Sequence, residues 1–193
     1  CYTQSYKDTL MNINPNLRLT FTGLLLILSS CNGLRNGMYG AESSSNSIND
    51  PIVMDYSHPS PNYNERSSSI PLKIIVAHYT VGDLQSSLNT LTDPSPVGHG
   101  RVSAHYLVPK AAIDNQRKVF GLVPEDKRAW HAGVGQWGIY GDVNDVSVGI
   151  EIVNSGYKEL ENRRAWDPFP DYQIDTLISL MQPVIETVLS LLM

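Results

Sequence analysis

Lys73-Ile74-Ile75-Val76-Ala77-His78-Tyr79 and Val146-Ser147-Val148-Gly149-Ile150-Glu151-Ile152-Val153 are the two stretches on which the fold reading turns. The first is a β-branched run of strand length, apolar on both faces, which suits a central strand. The second reads as another buried strand. Between them, Asp83 stands where it can cap a short helix whose Leu84, Leu88 and Leu91 recur at helical spacing. Ala104–Val108 and Lys118–Val123 read as further strands, joined by a hairpin around residues 111–116. Beyond them a helix is expected from Asp171, with Leu177, Ile178, Met181, Val184, Ile185, Val188 and Leu192 as its apolar stripe and a kink at Pro183. Strands come first and alternate with only two helices. The expected class is therefore α/β, of the α+β kind: a single domain with a mixed central β-sheet flanked by helices.

Chemistry is best sought where an ionisable group interrupts an apolar strand. His78 does so at the end of its strand, and ligands collect at the carboxyl ends of strands in sheet proteins of this kind. A histidine there is either a ligand or a satisfied structural residue. Glu151 is the sharper anomaly. Between Ile150 and Ile152 it would cost several kcal/mol to bury unpaired, so it faces a cleft, a metal or a partner, unless it lies at a wet strand edge. A half-buried glutamate also acquires the raised pKa that general-base work needs.

Composition removes several alternatives. Among 193 residues, 14 Lys and Arg stand against 19 Asp and Glu, and the basic residues are scattered, so no nucleic-acid partner is expected. Gly133-Val134-Gly135-Gln136-Trp137-Gly138 satisfies G-x-G-x-x-G, but no strand leads into it and no helix is expected after it, so dinucleotide binding is set aside. Neither H-E-x-x-H nor G-x-S-x-G occurs. The two cysteines, Cys1 and Cys31, precede the folded part and make neither a disulfide framework nor a cysteine zinc site.

Residues 1–10 read as lying upstream of the true start at Met11. Residues 11–30 then carry a short n-region ending at Arg18, an apolar stretch from Leu19 to Leu28, and the box Leu28-Ser29-Ser30-Cys31. This resembles a bacterial lipoprotein signal peptide, with Cys31 the acylated residue, and Asn32 after it matches sorting to the outer membrane. Residues 31–59 are polar, with runs such as Ser43-Ser44-Ser45-Asn46-Ser47, and read as a tether whose last part wraps on the domain.

Four motifs in one order carry a family resemblance: Ile74-Ile75-Val76-Ala77-His78-Tyr79-Thr80, Val102-Ser103-Ala104-His105-Tyr106-Leu107-Val108, Ala129-Trp130-His131-Ala132-Gly133 and Ser147-Val148-Gly149-Ile150-Glu151-Ile152. Together they resemble the type-2 N-acetylmuramoyl-L-alanine amidases, the AmpD and peptidoglycan-recognition-protein superfamily, and within it the AmiD-type outer-membrane lipoproteins. The resemblance covers residues 60–193. It implies a mixed sheet flanked by helices and a Zn²⁺ in a surface groove, where the amide between N-acetylmuramic acid and L-alanine is hydrolysed. By the same resemblance, His78 matches the first zinc ligand and Glu151 the catalytic glutamate. Trp130 and His131 match positions on the substrate wall, and His105 one that supports the strand beneath the site. His58 and His99, in polar loops, are not expected to be ligands.

The family's remaining zinc ligands come from a His-x-Asp-type segment after the long helix and a Lys-x-Asp-Pro-Gly segment. Neither is found here, and the chain is read as C-terminally truncated within the domain. The implied function is zinc-dependent amidase action on peptidoglycan or muropeptides by a monomer, lipid-anchored to the outer membrane and facing the periplasm. Weak zinc binding and lost activity are expected of this chain. The alternative is a non-catalytic peptidoglycan-binding lipoprotein.

Overall fold

The computed structural model describes residues 50–190, with side chains described through Glu186. The signal segment, Cys31 and the first part of the tether, together with residues 191–193, lie outside the described residues.

The framework is a five-stranded sheet built from β1 (Ile52–Asp55), β3 (Ile74–Tyr79), β4 (Tyr106–Val108), β5 (Arg117–Gly121) and β7 (Ser147–Ile152). Its spatial order is β1-β5-β4-β7-β3. The pairs β1/β5, β4/β7 and β7/β3 are parallel, and only β4/β5 is antiparallel. The antiparallel pair is the expected hairpin. It closes through Ile113-Asp114-Asn115-Gln116, with Asp114 and Asn115 at φ 53° and 58°, a left-handed pair that Asp and Asn tolerate.

Two ladders lie outside this sheet: β2 (Tyr63–Glu65) with β6 (Lys127–Ala129), and β8 (Tyr157–Leu160) with β9 (Arg163–Trp166). Three helices complete the described chain: α1 (Leu84–Thr92), the single turn α2 (Val143–Val146) and α3 (Asp171–Ser190). Among the described residues no helix is long and apolar enough to cross a membrane.

Each helix face finds a partner on the sheet. Asp83 caps α1 by accepting from the Ser86 N–H, and Leu88 and Leu91 then pack with Leu107, Phe120, Leu122 and Val153. Leu180 and Val184 of α3 pack with Val108, Val119, Val148 and Ile150. The result is helix, sheet, helix, as the alternation of elements implied.

Three expectations are corrected. β3 is an edge strand and β7, not β3, is the buried one. Apolar residues on both faces report what lies above and below a strand, and say nothing about whether its hydrogen-bonding edge is occupied. The tether does not run to residue 59, because Ile52–Asp55 already pairs with Arg117–Phe120 as a sheet strand. Four residues half-covered on one side carried too weak an alternation to be read as a strand. In α3 the inward face is broader than the expected stripe: Leu177, Met181 and Val184 of that stripe pack on the core, and Gln173, Thr176 and Leu180 are buried beside them. Gln173 is inward because its amide donates to the carbonyls of Val108 and Val153 at the strand ends, a polar task that hydrophobicity does not reveal. The helix continues through Pro183.

Arg66 joins these layers. Its guanidinium donates to the carbonyls of Glu125, Lys127, Asn144, Asp145 and Ser147, tying β6, α2 and the start of β7 together. The planar five-donor fork suits this task, and an ammonium group does not. Replacing Arg66 by Met leaves these carbonyls without their donor, at roughly 1–3 kcal/mol for each buried group that water cannot reach. Arg66→Met, and Arg66→Lys to a lesser degree, should therefore lower stability by about 3 kcal/mol or more in urea titration. A loss under about 1 kcal/mol would refute this role.

Candidate active site

Side chains alternate along a strand, and β7 uses the two faces differently. Val148 and Ile150 point into the α3 core, while Ser147, Gly149 and Glu151 share the opposite face. Parallel pairing sets His78 of β3 in register with Glu151, and on the other side sets Leu107 of β4 in register with it. The carboxylate thus stands between an imidazole and a fully buried leucine, near the carboxyl ends of three parallel strands.

His131 reaches this face from the loop after β6. A Cβ built on Gly149 would lie 2.3–2.7 Å from atoms of the His131 ring, so glycine is the residue that lets the imidazole lie on the sheet. Three contacts hold it. Asn144 accepts from the backbone N–H of His131 and Ala132, Ser147 Oγ lies 3.0 Å from Nε2, and His78 Nε2 lies 3.3 Å from Nδ1. Asn144 itself is buried, and its amide donates to Gly133 O, clamping the loop from both sides.

His105 lies directly below. Its Nδ1 accepts from the Gly149 N–H at 2.9 Å, which leaves Nε2 as the N–H that donates to Lys127 O at 3.1 Å. The Arg66 fork passes beside the same nitrogen. Trp130 is turned to a different set of partners: its indole N–H donates to Asn64 Oδ1, and the Arg101 guanidinium lies 5.2 Å from its ring centre.

Burial dominates the electrostatics. It pushes Glu151 up to about 7, and Oε2 of this carboxyl is buried with no hydrogen-bond partner. It also lowers the three histidines: His78 below its ordinary value, His105 to about 4 and His131 to about 3, the last also through its neighbours His105 and His78. Burial thus favours the neutral form of all three imidazoles. Just beyond β3 the exposed Val81 holds φ 54°, a strained conformation for a β-branched residue, where the chain turns from the site strand towards α1.

Neutral imidazoles and an orphaned carboxylate oxygen are donors of the kind a zinc ion accepts, and His78 fits as one ligand. Among the described residues, however, no three His, Cys, Asp or Glu side chains converge as a metal centre. A catalytic zinc takes about three protein ligands, so the described donors do not complete the set. Two clefts of about 420 and 320 Å³ are lined by other residues, the first between β1 and α3 and the second beside the start of α1.

The structure brings His78, Glu151, His131 and His105 together on or under one sheet face, with Trp130 next to His131 in sequence but hydrogen-bonded elsewhere. Sequence reasoning missed Arg66, Asn144 and Ser147. Only Ser147 carried a signal, since it falls two residues before Gly149 and four before Glu151 and hence on the same strand face.

The family model for N-acetylmuramoyl-L-alanine amidase, Amidase_2, matches residues 68–188. The chain is 40% identical over 116 residues to the Escherichia coli N-acetylmuramoyl-L-alanine amidase AmiD, covering 59% of this chain and 40% of that protein. It is 36% identical over 108 residues to the E. coli 1,6-anhydro-N-acetylmuramyl-L-alanine amidase AmpD, covering 49% of this chain and 56% of AmpD. The chain therefore spans about half the length of the curated relatives it matches. Among solved structures it is similar to E. coli AmiD in complex with anhydro-N-acetylmuramic acid-L-Ala-D-γ-Glu-L-Lys, at TM-score 0.55 and 37% identity, covering 65% of this chain and 48% of that one. With an ordered sheet face that holds His78 beside Glu151 and a model match over most of the described residues, this chain belongs to the N-acetylmuramoyl-L-alanine amidase family.

Proposed function

We propose that this chain carries the His78 and Glu151 part of an amidase site that hydrolyses the bond between the lactyl group of N-acetylmuramic acid and L-alanine in peptidoglycan or muropeptides. The observation that carries the reading is the in-register pair itself: an imidazole and a half-buried carboxyl group, whose Oε2 is buried without a hydrogen-bond partner, on adjacent parallel strands. Hydrolysis of an amide needs a group that takes a proton from water near neutral pH, and burial has moved Glu151 into that range. His78 would be one ligand of a bound zinc, which would lower the pKa of a bound water and polarise the carbonyl. Glu151 holds the proton released from water and returns it to the leaving amine. Trp130 and His131 are proposed to border the bound glycan and peptide, and His105 to keep the Gly149 backbone in place.

A second reading, a non-catalytic peptidoglycan-binding lipoprotein, is favoured by one observation: the described donors stop short of three. The two are separated by incubating the chain with Zn²⁺ and a muramyl peptide. Chromatographic release of the stem peptide that depends on Glu151 supports the amidase. Binding without release supports the module, and neither binding nor release overturns both.

In an amidase-competent protein, Glu151→Ala should retain zinc and lose roughly 10²–10⁴-fold in turnover, because the base is removed and the ligand remains. His78→Ala should lose zinc as well as turnover, measured by elemental analysis beside the product assay. Wild-type rates in Glu151→Ala would eliminate the assigned base.

The pH dependence has a definite sign. Glu151 works as the carboxylate, so kcat/KM should fall as pH drops far enough to protonate it, a range that burial raises and a bound cation lowers. In the metal-free chain the folded pKa lies above the ordinary value of 4.5, so the stability this group contributes is fully present below 4.5 and is lost as pH rises through about 7. Glu151→Gln should flatten that slope, which urea midpoints at pH 5 and pH 8 would read.

Localisation follows the N-terminal box. We propose acylation at Cys31 and attachment to the outer membrane, facing the periplasm. Cys31→Ala should abolish fatty-acid labelling and release the protein from the membrane fraction. An unlabelled wild type would contradict the anchor.

A further inference from the structure

Beyond β7 the chain turns through Asn154, Ser155 and Gly156 into β8 and β9, a two-stranded ribbon outside the five-stranded sheet. Of its eight strand residues only Ala165 is half-buried and the rest are exposed, so core packing does not account for the choice of side chains. Cross-strand pairing sets Tyr157 opposite Trp166 and Glu159 opposite Arg164, and the two-residue period puts all four on one face. The two rings meet there at 4.9 Å between centres, tilted by 56°. The Arg164 guanidinium lies 4.4 Å from the Tyr157 ring centre, and its Nε donates to Glu159 Oε1 at 3.0 Å. Tyr157 is 39% exposed and Trp166 51%.

The base of the ribbon is fastened. Asp167 Oδ2 accepts from both the N–H and the hydroxyl of Ser155, and its carboxylate pairs with Lys110. Buried Asn154 works in both directions: its amide N–H donates to Asp167 O, and its Oδ1 accepts from the Gly156 N–H. Exposed rings on a fixed support lose little freedom when a ligand settles on them. We propose that this face is a glycan platform, on which Trp166 and Tyr157 stack against sugar rings of peptidoglycan while Arg164 and Glu159 hydrogen-bond the hydroxyl and acetamido groups at their edges. The proposal rests on the peptidoglycan reading above and adds a second contact on the same polymer.

A pyranose ring shows C–H bonds on its faces and polar groups around its edge, so it is matched by an aromatic ring flanked by forked donors and acceptors. A lipid surface calls for an apolar tip instead. Here the turn of the ribbon carries Glu161 and Asn162, with Arg163 after them, and Glu159 stands on the aromatic face itself. Position supports the same occupant. Tyr157 follows Glu151 by six residues, which puts the two no more than about 22 Å apart along the chain. A Cβ on Gly156 would lie 3.4 Å from the ring of Tyr79, the residue after His78. One strand of several sugars can therefore reach ribbon and site together, and holding it at the ribbon raises the effective concentration of its muramyl amides beside Glu151.

The probe is a peptide-free glycan strand of alternating N-acetylglucosamine and N-acetylmuramic acid, which carries no scissile amide, so binding is read without turnover. In calorimetric titration, Trp166→Ala and Tyr157→Ala should each weaken binding about tenfold. Trp166→Phe, which keeps a ring opposite Tyr157, should recover most of the affinity, and Leu160→Ala on the reverse face should bind as the unmodified chain does. Equal binding by the unmodified chain and Trp166→Ala, or no binding by either, would overturn the platform. Binding that high salt abolishes and Trp166→Ala retains would overturn it too, since that is attraction of lactyl carboxylates to Lys158, Arg163 and Arg164. So would Trp166-dependent sedimentation with phosphatidylglycerol vesicles in place of strand binding, the mark of a membrane contact. Stem-peptide release from a soluble muramyl peptide is scored beside these titrations. Strand binding without release upholds the platform and counts against the amidase reading, and release without strand binding does the reverse.

Discussion

The missing side chain at Gly149 is the constraint around which the site is built. On one face of β7 the order is Ser147, Gly149, Glu151, and the gap in the middle lets an imidazole from another loop approach the sheet backbone closely. From that seat His131 reaches Ser147 on one side and His78 on the other. The same glycine offers its N–H to His105 below. A residue with a Cβ would fill the seat and separate the three histidines, while Glu151 would remain beside His78 with nothing to hold the imidazole's orientation.

Burial that raises the pKa of the Glu151 carboxyl also makes the site expensive. Oε2 of Glu151 has no partner, and the neutral histidines give it no positive charge to pair with. The cost is offset by what surrounds it. Val148 and Ile150, on the reverse face of the same strand, are fully buried against Leu180 and Val184, and Arg66 satisfies the carbonyls where β6, α2 and β7 meet. One strand therefore anchors the core with one face and presents Glu151 on the other, a division that the two-residue period of side chains makes possible.

Much of the fold was legible because it rests on local rules. Asp83 ahead of Leu84, Leu88 and Leu91 specified a capped helix, and the apolar strand runs around Leu107, Val119 and Ile150 specified strands. The anomalies at His78 and Glu151 were equally local: each is an ionisable group where the pattern calls for an apolar one. β1 was not legible, since a four-residue strand becomes a strand only by pairing with β5. Nor was the polar part of the inward face of α3, where Gln173 is buried for the carbonyls it satisfies.

Residue order along the chain was enough to single out His78 and Glu151 as candidates, because each violates the polarity of its own strand. It could not say that they are neighbours. That depends on β7 lying between β4 and β3 in parallel register, a choice made by long-range hydrogen bonding and by which faces the helices cover. Still less could it join His131 to them. Fifty-three residues separate His131 from His78, and their contact exists because Arg66 and Asn144 fold one loop onto the bare backbone of Gly149. Polarity is a property of single residues and can be read along a chain, whereas the meeting of two side chains is a property of the packed sheet alone.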